Sequence, residues 1–234
     1  IVLLPSLSKA IKKDHIEEIQ TTQNRSLEFC LLISIPSAVG LYILATPIIY
    51  ILFERGAFLS EDTYYTSQVL SIFALGLPAY ILIKVLVTCF FAREDTKTPL
   101  YVSIISVVIN VVLSLILIKT MREMGIALAT AISSWINAFL LFIILYLRNN
   151  FKPDKKIIKN LLKILISALV IGFICYFLNL LLFPEISTQQ MIINILALIL
   201  IIIVCNIIYV LMIFMLKVVT INDLKGYLNK NESK

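Results

Sequence analysis

The chain is 234 residues long, 60% hydrophobic and only 15% charged, with a formal net charge of +6 and a mean hydropathy of +1.00. Soluble globular domains hold about 45 to 50% apolar residues, so this composition excludes an ordinary soluble enzyme and points to a protein measured in membrane spans of about 20 residues each. The positive charge needs no nucleic acid to explain it, because basic loops also serve membrane topology and attraction to anionic lipid headgroups.

In chain order, residues 1–4 read as the last turn of a helix, closed by Pro5 and Ser6, and the opening IVLLPSLS has no basic n-region or small-residue cleavage site. Leu7, Ile11, Ile16 and Ile19 then recur at near-helical spacing among charges, the pattern of a short surface helix on which His15 is a solvated residue. Six apolar stretches follow: Ser26 to Phe53, Thr66 to Phe91, Pro99 to Ile118, Met124 to Leu147, Lys159 to Phe183 and Gln189 to Leu216. Each is expected to be a helix, because backbone polar groups in lipid must be satisfied within their own segment. The predicted fold class is all-α integral membrane, with six transmembrane helices after the stub of a preceding one.

The chain divides into residues 1–25, a helix end plus the surface helix; 26–150, four spans interrupted by Pro36, Pro47, Gly76, Pro78 and Gly125; and 151–234, a basic loop, two nearly unbroken Ile/Leu/Val spans and a tail. Cys30, Cys89, Cys175 and Cys205 lie in or beside apolar runs with no C-x-x-C pair, and read as packing residues. Loop charge alternates. Lys9, Lys12, Lys13 and Arg25, then Arg93 and Lys97, then Arg148, Lys152, Lys155, Lys156 and Lys159, and the lysines of the tail fall on one side; the other side has only Arg55, Lys119 and Arg122. The positive-inside rule places the rich side, with both termini, in the cytoplasm.

The loop FFAREDTKTP at 90–99 is then a cytoplasmic turn, in which Arg93 complements a helix C-terminus, Thr98 caps the next helix and Pro99 sits in its first turn. Local capping can account for it entirely. The outer turn FERGAFLSEDT uses Gly56 for backbone freedom and Ser60, Glu61 and Asp62 at the following N-terminus. Glu28 is expected to reach the interface or complement the helix dipole, and Lys163 to snorkel to the cytoplasmic surface.

Lys84 lies within LPAYILIKVLVTCFF, near the middle of the second span, where an ammonium costs at least about 2.5 to 3.5 kcal/mol. It should face a cavity, where it can meet an anion such as a phosphate, or pair with a buried carboxylate or carbonyl. Asn110 and Ser114 share one helix face, and Thr130 and Ser134 repeat the spacing on the neighbouring span. Together they form either an oxygen-lined site for a monovalent cation or interhelical hydrogen-bond glue. No G-x-S-x-G, H-E-x-x-H or P-loop is present, so these residues give no support to an enzyme.

LLPSLSKAI at 3–11, LLISIPSAVGLYILATPII at 31–49, LFERGAF at 52–58, GLPAYILIKVL at 76–86, FFAREDTKTP at 90–99 and GIALATAISSWINAFLL at 125–141 resemble, in order and spacing, the carboxyl-terminal half of the MurJ (MviN) lipid II flippases. Residues 151–234 agree with that family only in span count and position. The resemblance implies the multidrug/oligosaccharidyl-lipid/polysaccharide exporter fold: two helical lobes around a central cavity, with two extra helices forming a lipid groove. It also implies alternating-access transfer of lipid II, the undecaprenyl-pyrophosphate-linked peptidoglycan precursor, from the inner to the outer leaflet of the bacterial cytoplasmic (inner) membrane.

On that mapping Lys84 is a substrate-path residue, and Glu54, Arg55, Gly56, Arg93, Asp95, Thr98 and Pro99 are motif-loop residues. Asn110, Ser114 and Thr130 fall where some members bind sodium, but Ser114 replaces an acidic residue of that pattern. The family's essential cavity cations map upstream of residue 1. The implied partners are lipid II, membrane lipids and an N-terminal lobe of the same protein, with no nucleic acid. No cofactor is implied beyond coupling to membrane potential or a monovalent cation, and this stretch alone is not expected to flip lipid. The alternatives are an exporter of another polyprenyl-linked glycan or of small molecules, a non-transporting membrane scaffold, and an integral-membrane transferase, which would need carboxylates or a metal near the surface. Exposure of Lys84 and the 110/114/130 cluster to a water-filled cavity separates transport from scaffold.

Overall fold

The computed structural model describes residues 7, 8, 11, 16–183 and 191–218. Its helices are α1 (Ile16–Ile43), α2 (Ala45–Phe53), α3 (Ser60–Phe91), α4 (Lys97–Met121), α5 (Glu123–Leu147), α6 (Lys155–Leu182) and α7 (Met191–Met215). All but α2 are long and apolar enough to cross a membrane, which agrees with the six expected spans. Among the described residues there is no strand. The expected helical stub at 1–4, His15, and the tail beyond Val218 lie outside the described residues.

The first span departs from expectation at both ends. Its helix begins at Ile16 rather than Ser26, so residues 16–25 are continuous with it rather than a separate helix. Ile19, Gln23, Asn24 and Leu27 explain why: all four are buried on one inward face. The same stretch then breaks at Leu44 into α1 and α2, close to Pro47, which has no N–H to offer the carbonyl of Ile43. Bonds from Leu44 N–H to Gly40 (2.9 Å) and from Ile48 N–H to Leu44 (3.0 Å) carry the chain across the break.

Two apolar cores organise the helices. One joins Leu27 of α1, Val85, Leu86 and Phe90 of α3, Val102 of α4, Leu141 and Leu145 of α5, and Phe151. The other joins Leu44 to Ile164, Ile171 and Cys175 of α6 and Ile201, Cys205, Tyr209 and Ile213 of α7. α1 contributes to both walls. α3 and α4, though consecutive, diverge from their shared turn, and α5 packs against each of them. α1 and α6 run parallel in close contact, so that a Cβ on Gly172 would lie 2.9 Å from Val39 Cγ1.

Candidate functional site

α3 carries Lys84. Because the helix runs from Ser60 to Phe91, Lys84 sits about 10 Å along the axis from its last residue, nearer the AREDTKTP end than the middle that the sequence indicated. Its side chain is exposed, and neither a carboxylate nor a carbonyl of the described residues pairs with its ammonium. Its backbone carbonyl accepts from Thr88 Oγ1 at 2.8 Å. A cation left bare on an apolar helix faces water or a partner, not lipid tails.

The polar cluster on α4 and α5 is real but differently composed. Asn110 Nδ2 donates to Thr130 Oγ1 (3.1 Å) and to Ser133 Oγ (3.2 Å), not to Ser134. Both hydroxyls spend their own protons on backbone carbonyls, of Ile126 and Thr130 respectively, so their lone pairs accept from the amide. Ser134 likewise bonds back to Thr130, and the buried hydroxyl of Ser114 has no partner. Asn110, Thr130 and Ser133 thus form an interhelical hydrogen-bond knot, the arrangement of helix-association glue, while Ser114 brings no carboxylate to the cluster.

The turn at 90–99 does more than cap its own helices. Arg93 Nη1 donates to Cys89 at the end of α3 (2.9 Å), and Nη2 donates to the carbonyl of Asn150 (2.8 Å), beyond the end of α5. With its amide oriented as these partners require, Gln23 of α1 accepts from both guanidinium nitrogens (3.0 and 3.2 Å) and donates to Asn150 O at 3.1 Å. Asn24 adds a bond to the carbonyl of Lys152 (3.3 Å). Burial lowers the Arg93 pKa from its ordinary value, yet a guanidinium stays charged. The expectation of purely local capping is therefore corrected: α1, α3 and the 148–152 loop meet on one arginine.

Asp95 takes the role assigned to Thr98. Its carboxylate accepts from the Thr98 N–H (3.0 Å) and from its hydroxyl (2.6 Å), and Arg148 Nη1 reaches the same group at 2.7 Å. The Thr98 hydroxyl first, then its N–H, then Arg148 hold the Asp95 carboxyl below the usual carboxylate range. Pro99 is buried in the first turn of α4, as expected. On the opposite loop Gly56 adopts φ +62° and Arg55 Nη2 caps α2 at Ile51 (3.2 Å) and Leu52 (2.8 Å). Glu54 accepts from the Thr63 hydroxyl, and Asp62 accepts from Leu59 N–H at 2.9 Å.

Glu28 and Lys163 are tied to neighbours rather than simply reaching the surface. Asn160 Nδ2 donates to Glu28 Oε1, joining α6 to α1. Lys163 Nζ donates to Leu216 O at 2.7 Å, just past the end of α7. Between α1, α6 and α7 lies an apolar groove of about 470 Å³, lined by Leu32, Pro36, Gly40, Ile171, Cys205 and Tyr209 among others. Gln23, Asn150 and Tyr209 carry no motif, and only the proline at 36 hints at the groove.

A family model described as "Lipid II flippase MurJ" matches residues 1–200. A "Probable lipid II flippase MurJ" from Rhizobium tropici is 49% identical over 109 residues, covering 47% of this chain and 20% of the relative. The protein of the same description from Rickettsia prowazekii (strain Madrid E) is 45% identical over 108 residues, covering 46% and 21%. The solved structure "Lipid II flippase MurJ, inward closed conformation" superposes with a TM-score of 0.68 at 31% identity, covering 89% of this chain and 42% of that one. The matched stretch spans about a fifth of the length of these curated relatives. With the family model matching well over half of its residues, this multi-pass membrane chain belongs to the lipid II flippase MurJ family.

Proposed function

We propose that this chain forms part of a transporter that moves lipid II from the inner to the outer leaflet of the bacterial cytoplasmic membrane by alternating access, with an N-terminal lobe completing the cavity. The observation that carries the reading beyond family membership is Lys84, an exposed ammonium with no protein partner among the described residues. On an apolar helix it would be excluded from lipid, so it suits the wall of a wet cavity where a pyrophosphate passes. The basic loops orient both chain termini to the cytoplasm. The groove between α1, α6 and α7 is within the volume range of about 300 to 1,000 Å³ typical of ligand sites, and its apolar lining suits the polyprenyl tail.

Coupling to the membrane potential, worth about 2.3 kcal/mol per charge per 100 mV, belongs to this proposal, and the hydrogen bonds from Asn110 to Thr130 and Ser133 favour it over a cation held by Asn110, Ser114 and Thr130. The test is complementation of cells depleted of their own lipid II flippase by the full-length parent gene. Native protein should rescue, Lys84→Ala should fail at matched membrane abundance, and Lys84→Arg should restore part of the growth. Rescue by Lys84→Ala would make Lys84 structural; failure of the native protein despite insertion would favour another glycolipid or a scaffold.

A further inference from the structure

The wall of the groove contains a coupling that neither the transport reading nor the motifs use. Pro36 lies inside α1 and has no N–H, so the carbonyl of Leu32, one turn earlier, loses its helical donor. Within a bilayer no water can replace that donor. The hydroxyl of Tyr209, on α7, donates to this oxygen. Leu32, Pro36 and Tyr209 all line the same groove, together with Gly40 on the next turn of α1. A Cβ on Gly40 would meet nothing within 4 Å, so that side is open, whereas α6 is pressed onto α1 at Gly172 and Val39. One wall is thus fixed by close packing, and the other is set by where Tyr209 holds α7.

We propose that Tyr209 is the positioning residue of this groove: by serving the Leu32 carbonyl that Pro36 orphans, its hydroxyl ties α7 to the proline turn of α1 and keeps the groove in register for a hydrocarbon chain. The proposal rests on the reading of the groove as the seat of the lipid tail. It explains why a tyrosine stands in a helix built mainly of aliphatic residues, with its hydroxyl directed at a backbone oxygen. It also explains the proline, since with an N–H at residue 36 the Leu32 carbonyl would already be in use.

The full-length protein containing this chain, in lipid nanodiscs, is compared as wild type, Tyr209→Phe, Pro36→Ala, the double variant and Gly40→Leu. Two readouts are taken: the thermal midpoint, and labelling of groove peptides by a photoreactive polyprenyl phosphate. Tyr209→Phe should lower the midpoint by a few degrees in the native background and scarcely at all beside Pro36→Ala, where the restored N–H of residue 36 serves Leu32. Groove labelling should fall several-fold in both Tyr209→Phe and Gly40→Leu. An equal midpoint loss in both backgrounds overturns the proposal, as does unchanged labelling in Tyr209→Phe where Gly40→Leu abolishes it. Wild-type protein unlabelled in the groove overturns the lipid-tail reading and the positioning role with it. That outcome is distinct, because the coupling between positions 36 and 209 is measured without the probe.

Discussion

Arg93 and Asn150, 57 residues apart in the chain, are joined by a 2.8 Å hydrogen bond from guanidinium to backbone carbonyl. Gln23 closes the triangle from α1. Removing the guanidinium leaves the carbonyls of Cys89 and Asn150 and the Gln23 amide short of partners, and each such loss costs about 1 to 3 kcal/mol. Arg93→Ala is therefore expected to lower stability markedly. Arg93→Lys should recover only part of it, because one ammonium cannot reproduce the planar fork. Thermal unfolding of the two variants in detergent checks this; equal stability of wild type and Arg93→Ala would refute it.

Asp95 gives a pH signature. Its folded pKa is depressed, chiefly by the Thr98 hydroxyl, so its ionised form contributes stability above the ordinary carboxylate value of about 3.9. That contribution is lost as pH falls through the lower folded value. Asp95→Asn should unfold at a lower temperature than wild type at pH 7, with the gap closing as the medium is acidified below about pH 4. Arg148→Ala should cost much less, about 0 to 1 kcal/mol, since the Arg148 side chain is half-exposed.

Asn110→Ala breaks two bonds of the knot between α4 and α5. At about 0.6 kcal/mol per interhelical bond, a loss near 1 kcal/mol is expected. Transport measured with sodium replaced by potassium should be unchanged in wild type. A sodium requirement abolished by Asn110→Ala would show that these oxygens bind the ion after all.

Two backbone positions should respond in opposite directions. Glu94 ends α3 at φ +61°, with the N–H of Asp95 bonded to Phe90 O (3.1 Å) and that of Glu94 to Phe91 O (3.0 Å), a turn that glycine adopts more easily. Glu94→Gly should gain about 1 kcal/mol. At Gly125 an added Cβ would fall 2.5 Å from the carbonyl oxygen of Leu117, where α5 folds back on α4. Gly125→Ala should cost about 1 to 3 kcal/mol. Chemical or thermal denaturation of both variants reads the two signs.

The six spans were legible because lipid leaves the backbone one solution and twenty apolar residues in a row announce it. The run from Ser26 to Phe53 is predominantly apolar on both sides of Leu44, so hydropathy could not show the break there, which depends on a local backbone vacancy beside Pro47. Residues 16–25 looked like part of a surface helix because Leu7, Ile11, Ile16 and Ile19 recur at near-helical spacing among charges; only the arrival of Asn150 and Lys152 makes the burial of Gln23 and Asn24 tolerable. Asn110 and Thr130 were found by spacing, yet Ser133 rather than Ser134 met them, a choice fixed by how α4 and α5 rotate against each other. Thr98 was expected to be the cap because it immediately precedes Pro99, while Asp95 reaches the same N–H from outside the helix.

The pairing of Glu28 with Asn160 spans 132 residues of chain. At about 5 to 20 residues per second, a ribosome needs roughly 7 to 26 s to make that distance. For that interval a carboxylate midway along α1 waits without the amide that later receives it, and so do the small buried residues that α6 will cover. Biogenesis of this protein therefore contains a delay before α1 and α6 can pair, and shortening or lengthening the 148–154 loop would leave that delay almost untouched.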